Sequence, residues 1–158
     1  MDAETIPTDS ATIIPNAGLY EFGVLTSNVH MAWMRAVAGR LKSDYRYSKD
    51  IVYNNFPFVL PESALADSNP CGNLLTCTAE QASKIEQTAQ AILDARALYP
   101  DSSLADLYNE TLMPPELRKA HQANDKAVMQ AYGFSTKMTE SECVAELFKL
   151  YEKLTQKA

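Results

Sequence analysis

Between residues 25 and 41 the apolar positions recur every fourth residue: Leu25, Val29, Trp33, Val37 and Leu41, with Met34 and Ala38 widening the stripe. That spacing gathers the apolar side chains on one face of a helix. Thr26, Ser27 and Asn28 are candidate N-caps, and Gly39 lies near the expected end. The pattern then changes. Tyr45, Tyr47, Ile51, Tyr53 and Phe56 are β-formers in short runs, and Phe56, ahead of Pro57, is biased to extended backbone. From residue 79 helical spacing returns. Ile85, Ala89, Ile92 and Ala95 mark one face of a helix over 79–99, and a short helix follows over 104–112. Pro114 and Pro115 open a helix over 116–132 that Gly133 closes. Val144, Leu147, Phe148, Tyr151 and Leu154 line a last helix over 140–156. The expected fold is α+β, mainly α: a helix and short strands, then a small C-terminal helical bundle.

Pro, Ser, Asn and Gly cluster in the DSNPCGN stretch, as in a linker. The expected organisation is therefore residues 1–60, a linker over 61–77, and a helical domain over 78–158. At 158 residues the chain can hold one ordinary domain, or a domain with an appended fragment, without disulfide or metal staples. A net charge of −6 argues at first sight against nucleic acid. The average conceals a division. Residues 19–53 carry five basic side chains (Arg35, Arg40, Lys42, Arg46, Lys49) against three acidic ones, whereas residues 61–158 carry nine against fourteen. Eight of the fourteen aromatics lie within residues 20–58, so the basic stretch is also the aromatic one. No apolar run approaches the ~20 residues of a membrane span. The acidic start, MDAETIPTDSATIIPNAG, lacks the features of a secretory signal. A cytoplasmic chain with no membrane partner is expected, its three cysteines reduced.

Signs of catalytic chemistry are few. His30 and His121 have no second ligand at metal spacing and read as structural or solvated. Cys71 and Cys77 do not form a zinc pattern, and Cys143 falls on the apolar side of the last helix, so the thiols read as small buried groups. G-x-S-x-G, P-loop and G-x-G-x-x-G motifs are absent. The run from Gly39 to Lys49, GRLKSDYRYSK, stands apart because charge, hydroxyl and aromatic groups alternate directly after an apolar helix. Arg and Lys neutralise phosphates, while Ser and Tyr hydroxyls fix register on a nucleic-acid backbone. Lys42 and Asp44, one residue apart, would project to the same side of an extended segment. In a major groove Lys can donate to guanine O6 and N7, and Asp can accept from the amino group of the paired cytosine. The competing reading is a surface turn with a local ion pair worth under ~1 kcal/mol.

Residues 22–58, FGVLTSNVHMAWMRAVAGRLKSDYRYSKDIVYNNFPF, resemble the end of the target-recognition domain of MmeI-like type II restriction–modification DNA adenine-N6 methyltransferases. Residues 91–134, AILDARALYPDSSLADLYNETLMPPELRKAHQANDKAVMQAYGF, resemble the helical C-terminal domain of the same family, and the two stretches stand in the family's order. The resemblance implies double-stranded DNA as a partner. It also implies a parent enzyme that uses S-adenosylmethionine to methylate an adenine flipped out of the duplex. The residues flanking the serine after G-R-L, here Lys42 and Asp44, are implied to read a G·C pair beside the target adenine. Arg40, Ser43, Tyr45, Arg46, Ser48 and Lys49 fall in the surrounding motif and are assigned backbone or supporting contacts.

The chain also departs from the family pattern. An N-P-P-Y motif is missing, since Asn55-Phe56-Pro57-Phe58 has one proline and Met113-Pro114-Pro115 lacks the Asn and the aromatic. The F-x-G-x-G cofactor pattern is missing too, because Glu21-Phe22-Gly23-Val24 has one glycine. No catalytic or cofactor-binding residue is therefore assigned to this chain. It is expected to be a C-terminal piece of a larger enzyme, next to an upstream methyltransferase domain. In isolation it would leave Leu25, Trp33 and Val37 under-covered and prone to self-association. The alternative is a free-standing helical interaction module that binds protein and touches no DNA.

Overall fold

The computed structural model describes residues 13–65 and 75–156. The helix expected after the Thr26–Asn28 caps is α2 (Asn28–Val37), and a short helix not expected from the pattern, α1 (Leu19–Leu25), precedes it. The break follows from the hydroxyls between them. Thr26 Oγ1 donates to the Phe22 carbonyl at 2.8 Å and Ser27 Oγ to that of Val24 at 2.7 Å, closing α1. Ser27 Oγ then accepts from the His30 amide and caps α2. Leu41, placed on the helical stripe by its spacing, instead lies on a strand and is 65% exposed.

The strands are short and paired two by two. β1 (Gly39–Leu41) and β2 (Asp44–Arg46) form an antiparallel hairpin with a two-residue loop. Ile51 and Tyr53, read as β-formers, sit in a five-residue π-helical turn, Lys49–Tyr53. β3 (Val59–Pro61) pairs in parallel with β4 (Leu75–Cys77), and a 3₁₀ turn, Glu62–Leu65, follows β3. Strand residues thus stand at both ends of the 61–77 segment, and Cys71 lies outside the described residues.

Four helices follow in the expected order, α3 (Ala79–Ala97), α4 (Leu104–Leu107), α5 (Pro115–Ala131) and α6 (Glu140–Thr155), although the one expected over 104–112 ends at Leu107. Thr78 with Gln81 and Thr139 with Glu142 form capping boxes that start α3 and α6. α5 ends in a Schellman motif. Gly133 adopts φ +70°, its amide bonds to the Gln130 carbonyl, and the Phe134 amide reaches back to Met129. No helix among the described residues is long and apolar enough to cross a membrane.

α1 packs on α3, α3 on α5, and α2 on α6. The main core therefore mixes both halves of the chain: Tyr20, Val24, Val29 and Trp33 from the first meet Ile85, Val128 and Leu147 from the second. Trp33 is not left uncovered. It is 1% exposed, with Phe148 and Tyr151 of α6 at ring-centroid distances of 5.0 and 6.0 Å. α1 can lie this close to α3 and α5 because residue 23 is glycine. A Cβ there would stand 2.7 Å from Ile85 Cγ2, 3.1 Å from Asn124 Oδ1 and 3.2 Å from Ala89 Cβ. The fully buried Asn124 ties the three helices together, donating to the Gly23 carbonyl at 2.7 Å and accepting from Thr88 Oγ1 at 3.1 Å. Cys77 and Cys143 are buried thiols. Burial raises the pKa of Cys143 to about 11.

Candidate nucleic-acid interface

The hairpin projects from the end of α2, and residues 39–47 are all exposed. Its loop is Lys42–Ser43, because Leu41 pairs with Asp44 across the strands. Lys42 has φ +58°, a backbone region usually given to glycine at this point of a two-residue loop. Lys42 and Asp44 therefore do not project to one side of a continuous extended segment. The chain reverses between them, with Lys42 at the tip and Asp44 opening the returning strand. The surface-turn ion pair is absent as well: among the described residues no salt bridge joins Lys42 to Asp44. Asp44 receives only a long contact from Ser43 Oγ, 3.5 Å. The tip thus carries a cation and a carboxylate two residues apart, neither with an ion-pair partner among the described residues.

The rest of the motif braces this tip. Arg40 lies opposite Tyr45, stacks 4.3 Å over its ring centroid, and donates to its hydroxyl at 2.9 Å. Arg46 pairs in register with Gly39, so it shares a face with Leu41 and Asp44. The Ser48 carbonyl receives the first backbone hydrogen bond of the π turn. Lys49 stands 3.8 Å from Asp50, with both side chains about 70% exposed. Five of the eight assigned residues therefore ring the hairpin itself with Lys42 (Arg40, Ser43, Asp44, Tyr45, Arg46), while Ser48 and Lys49 lie at its stem.

Two buried anchors, not identified from the sequence, hold the stem. His30 Nε2 meets the Tyr47 hydroxyl at 3.0 Å, and Phe56 presents its edge to the imidazole at 4.5 Å. His30 Nδ1 is buried without a hydrogen-bond partner, and burial lowers the ring's pKa to about 4, so the imidazole is neutral near pH 7. Trp33 Nε1 donates to the Val52 carbonyl at 3.0 Å, fastening the π turn to α2. The signal for both was present but ambiguous: polar or amphipathic side chains, His30 and Trp33, on the buried stripe of a helix must find partners somewhere.

The fold and this surface define a helical scaffold that presents a short basic hairpin outward. Residues 1–60 match the family model of the MmeI target recognition domain, and residues 77–158 that of the MmeI C-terminal domain. The chain belongs to the MmeI family, and carries these two domains of it. It is 37% identical over 155 residues to DNA methyltransferase A of Bacillus subtilis (strain 168), covering 98% of the chain and 16% of that protein. It also resembles a solved type IIL restriction–modification enzyme, MmeI, in complex with DNA. That likeness has a TM-score of 0.77 and 45% identity, and covers 90% of the chain and 17% of the solved one. The chain thus spans about one-sixth of the length of the relatives it matches.

Proposed function

We propose that the chain is the DNA-reading and C-terminal helical part of a DNA adenine-N6 methyltransferase, with the hairpin tip entering the major groove. The observation that carries the reading is the exposed Lys42–Ser43–Asp44 tip, held on a braced stem, whose Lys42 and Asp44 form no ion pair among the described residues. A two-stranded ribbon is narrow enough for the groove. In this reading Lys42 donates to guanine and Asp44 accepts from the paired cytosine. Arg40, Ser43, Tyr45, Arg46, Ser48 and Lys49 contact phosphates or support the tip. The double-stranded DNA, the S-adenosylmethionine cofactor, the upstream methyltransferase domain and the cytoplasmic setting all belong to the longer enzyme in which the chain works. The domain division at 60 and 78 is part of the same proposal. Self-association of the isolated chain belongs to the same proposal, resting on Leu25 and Val37, since Trp33 is covered.

In the longer enzyme, replacing Lys42 and Asp44 together is expected to change the preferred base pair beside the target adenine while methylation continues on the new site. Methylation profiling over all base pairs at that position reads the outcome. An unchanged preference would remove both residues from base reading.

A further inference from the structure

The chain contains five arginines: Arg35, Arg40, Arg46, Arg96 and Arg118. Two are on the hairpin. The other three, from α2, α3 and α5, line one cavity of about 560 Å³. Arg96 and Arg118 are the only arginines in residues 61–158, an otherwise acidic stretch, and the fold brings both to this place. Arg35 is compensated, because its guanidinium grips both oxygens of Glu140 at 2.7 and 3.0 Å. Arg96 and Arg118 have no carboxylate partner among the described residues. Asp125, the one carboxylate lining the cavity, is committed to the backbone and side-chain amides of Asn28.

Arg96 is also held in place. Its guanidinium carbon lies over the rings of Phe22 and Tyr108, 5.3 and 5.1 Å from their centroids. It donates to the Tyr108 hydroxyl, which also bonds His121 Nε2 at 2.7 Å. Arg118 donates to the Glu110 carbonyl at 3.0 Å. Neutral acceptors thus orient both cations and leave their charge available. Guanidinium groups arranged in this way suit the oxygens of a phosphodiester.

The cavity adjoins one that the hairpin helps to line. Leu25 and Met31 line both it and the neighbouring cavity, whose other walls include Tyr45 and Tyr47. α2, ten residues long, spans about 15 Å at ~1.5 Å per residue, a distance covered by a few base pairs of duplex.

We propose that Arg96 and Arg118 form a backbone-phosphate site for duplex DNA on the helical segment, outside the base-reading hairpin. The proposal rests on the DNA-reading assignment of the hairpin and extends it: one duplex would touch both halves of the chain, the tip reading bases and the arginine pair gripping the flank. It is tested by titrating the 158-residue chain with a labelled duplex of arbitrary sequence across a salt series. Each lost phosphate contact lowers the slope of log affinity against log salt by about 0.9. Arg118→Gln, at an exposed position, should lower it by about that amount, and Arg96→Gln with Arg118→Gln by about twice as much. Lys84→Gln, on α3 but away from the cavity, should leave it unchanged. Equal slopes for the wild type and the arginine variants overturn the site, and would leave the arginines to an acidic protein surface. So does a wild-type chain without measurable affinity at low salt, or a Lys84 variant that lowers the slope as far as Arg118→Gln does. The hairpin reading is judged separately, by base preference in the longer enzyme.

Discussion

His30 shows how a single buried group ties the exposed hairpin's stem to the stability of the chain. Its ring is 2% exposed, and burial lowers its pKa from 6.5 to about 4. Between those two pH values the unfolded chain binds a proton that the folded chain refuses. Stability therefore rises with pH across that interval and is fully present above about 6.5. The contribution is on the order of 3 kcal/mol at 1.36 kcal/mol per unit. Denaturant titrations at a series of pH values should show this slope in the wild type and a flatter one in His30→Gln. Parallel curves would mean that the imidazole is not the group responsible. His121, whose pKa is also lowered, by burial and by Arg96, contributes to both proteins and cancels in the comparison. The sequence reads His30 as structural or solvated, but does not show its partner. Nothing local links it to Tyr47 seventeen residues on.

At the scale of elements, the long helices were legible because each carries its own signals: apolar spacing, proline at the first turn of α5, glycine after its last. α1 was not, because Gly23 depresses helix propensity and the seven-residue segment looks like a lead-in to α2. The glycine is there for the neighbours. Gly23→Ala would improve helix propensity by up to ~1 kcal/mol in an isolated helix. Here the added methyl meets Ile85 at 2.7 Å. Overpacking of this kind costs about 1–3 kcal/mol, so the substitution should lower the midpoint of thermal unfolding. A midpoint at or above that of the wild type would show that α1 can move away from α3 without penalty. The hairpin was legible as a segment but not as a hairpin, since a Lys-Ser loop lacks the Asn-Gly signal of tight turns. The β3–β4 pair depends on a parallel, non-local register, which alternation within either three-residue strand cannot reveal. The arginine cavity was equally hidden, because Arg35, Arg96 and Arg118 converge only in the folded chain.

For the whole molecule, the two family segments share a core. Trp33, the sole tryptophan, is at their junction, bonded to Val52 and flanked by Phe148 and Tyr151. Elements that bury each other's apolar faces unfold together. Tryptophan fluorescence and helical circular dichroism should therefore report one coincident transition in denaturant. Residues 1–60 alone should not fold, because α1 and α2 would lose the surfaces that cover them. Two separated transitions would show that the segments are stable independently.

The hairpin stands outside this mutual dependence. Gly39–Arg46 contribute no buried side chain, so substitutions there leave the interior as it was. Most surface changes of that kind alter stability by less than about 0.5 kcal/mol. Mutational drift can then explore new contacts at the tip without first unfolding the scaffold, and a lineage can diversify what it recognises while its framework stays constant. The restriction that remains is steric. The first loop position turns through positive φ, where β-branched side chains are strongly disfavoured, so valine, isoleucine and threonine are expected to be rare among the residues selection can offer there.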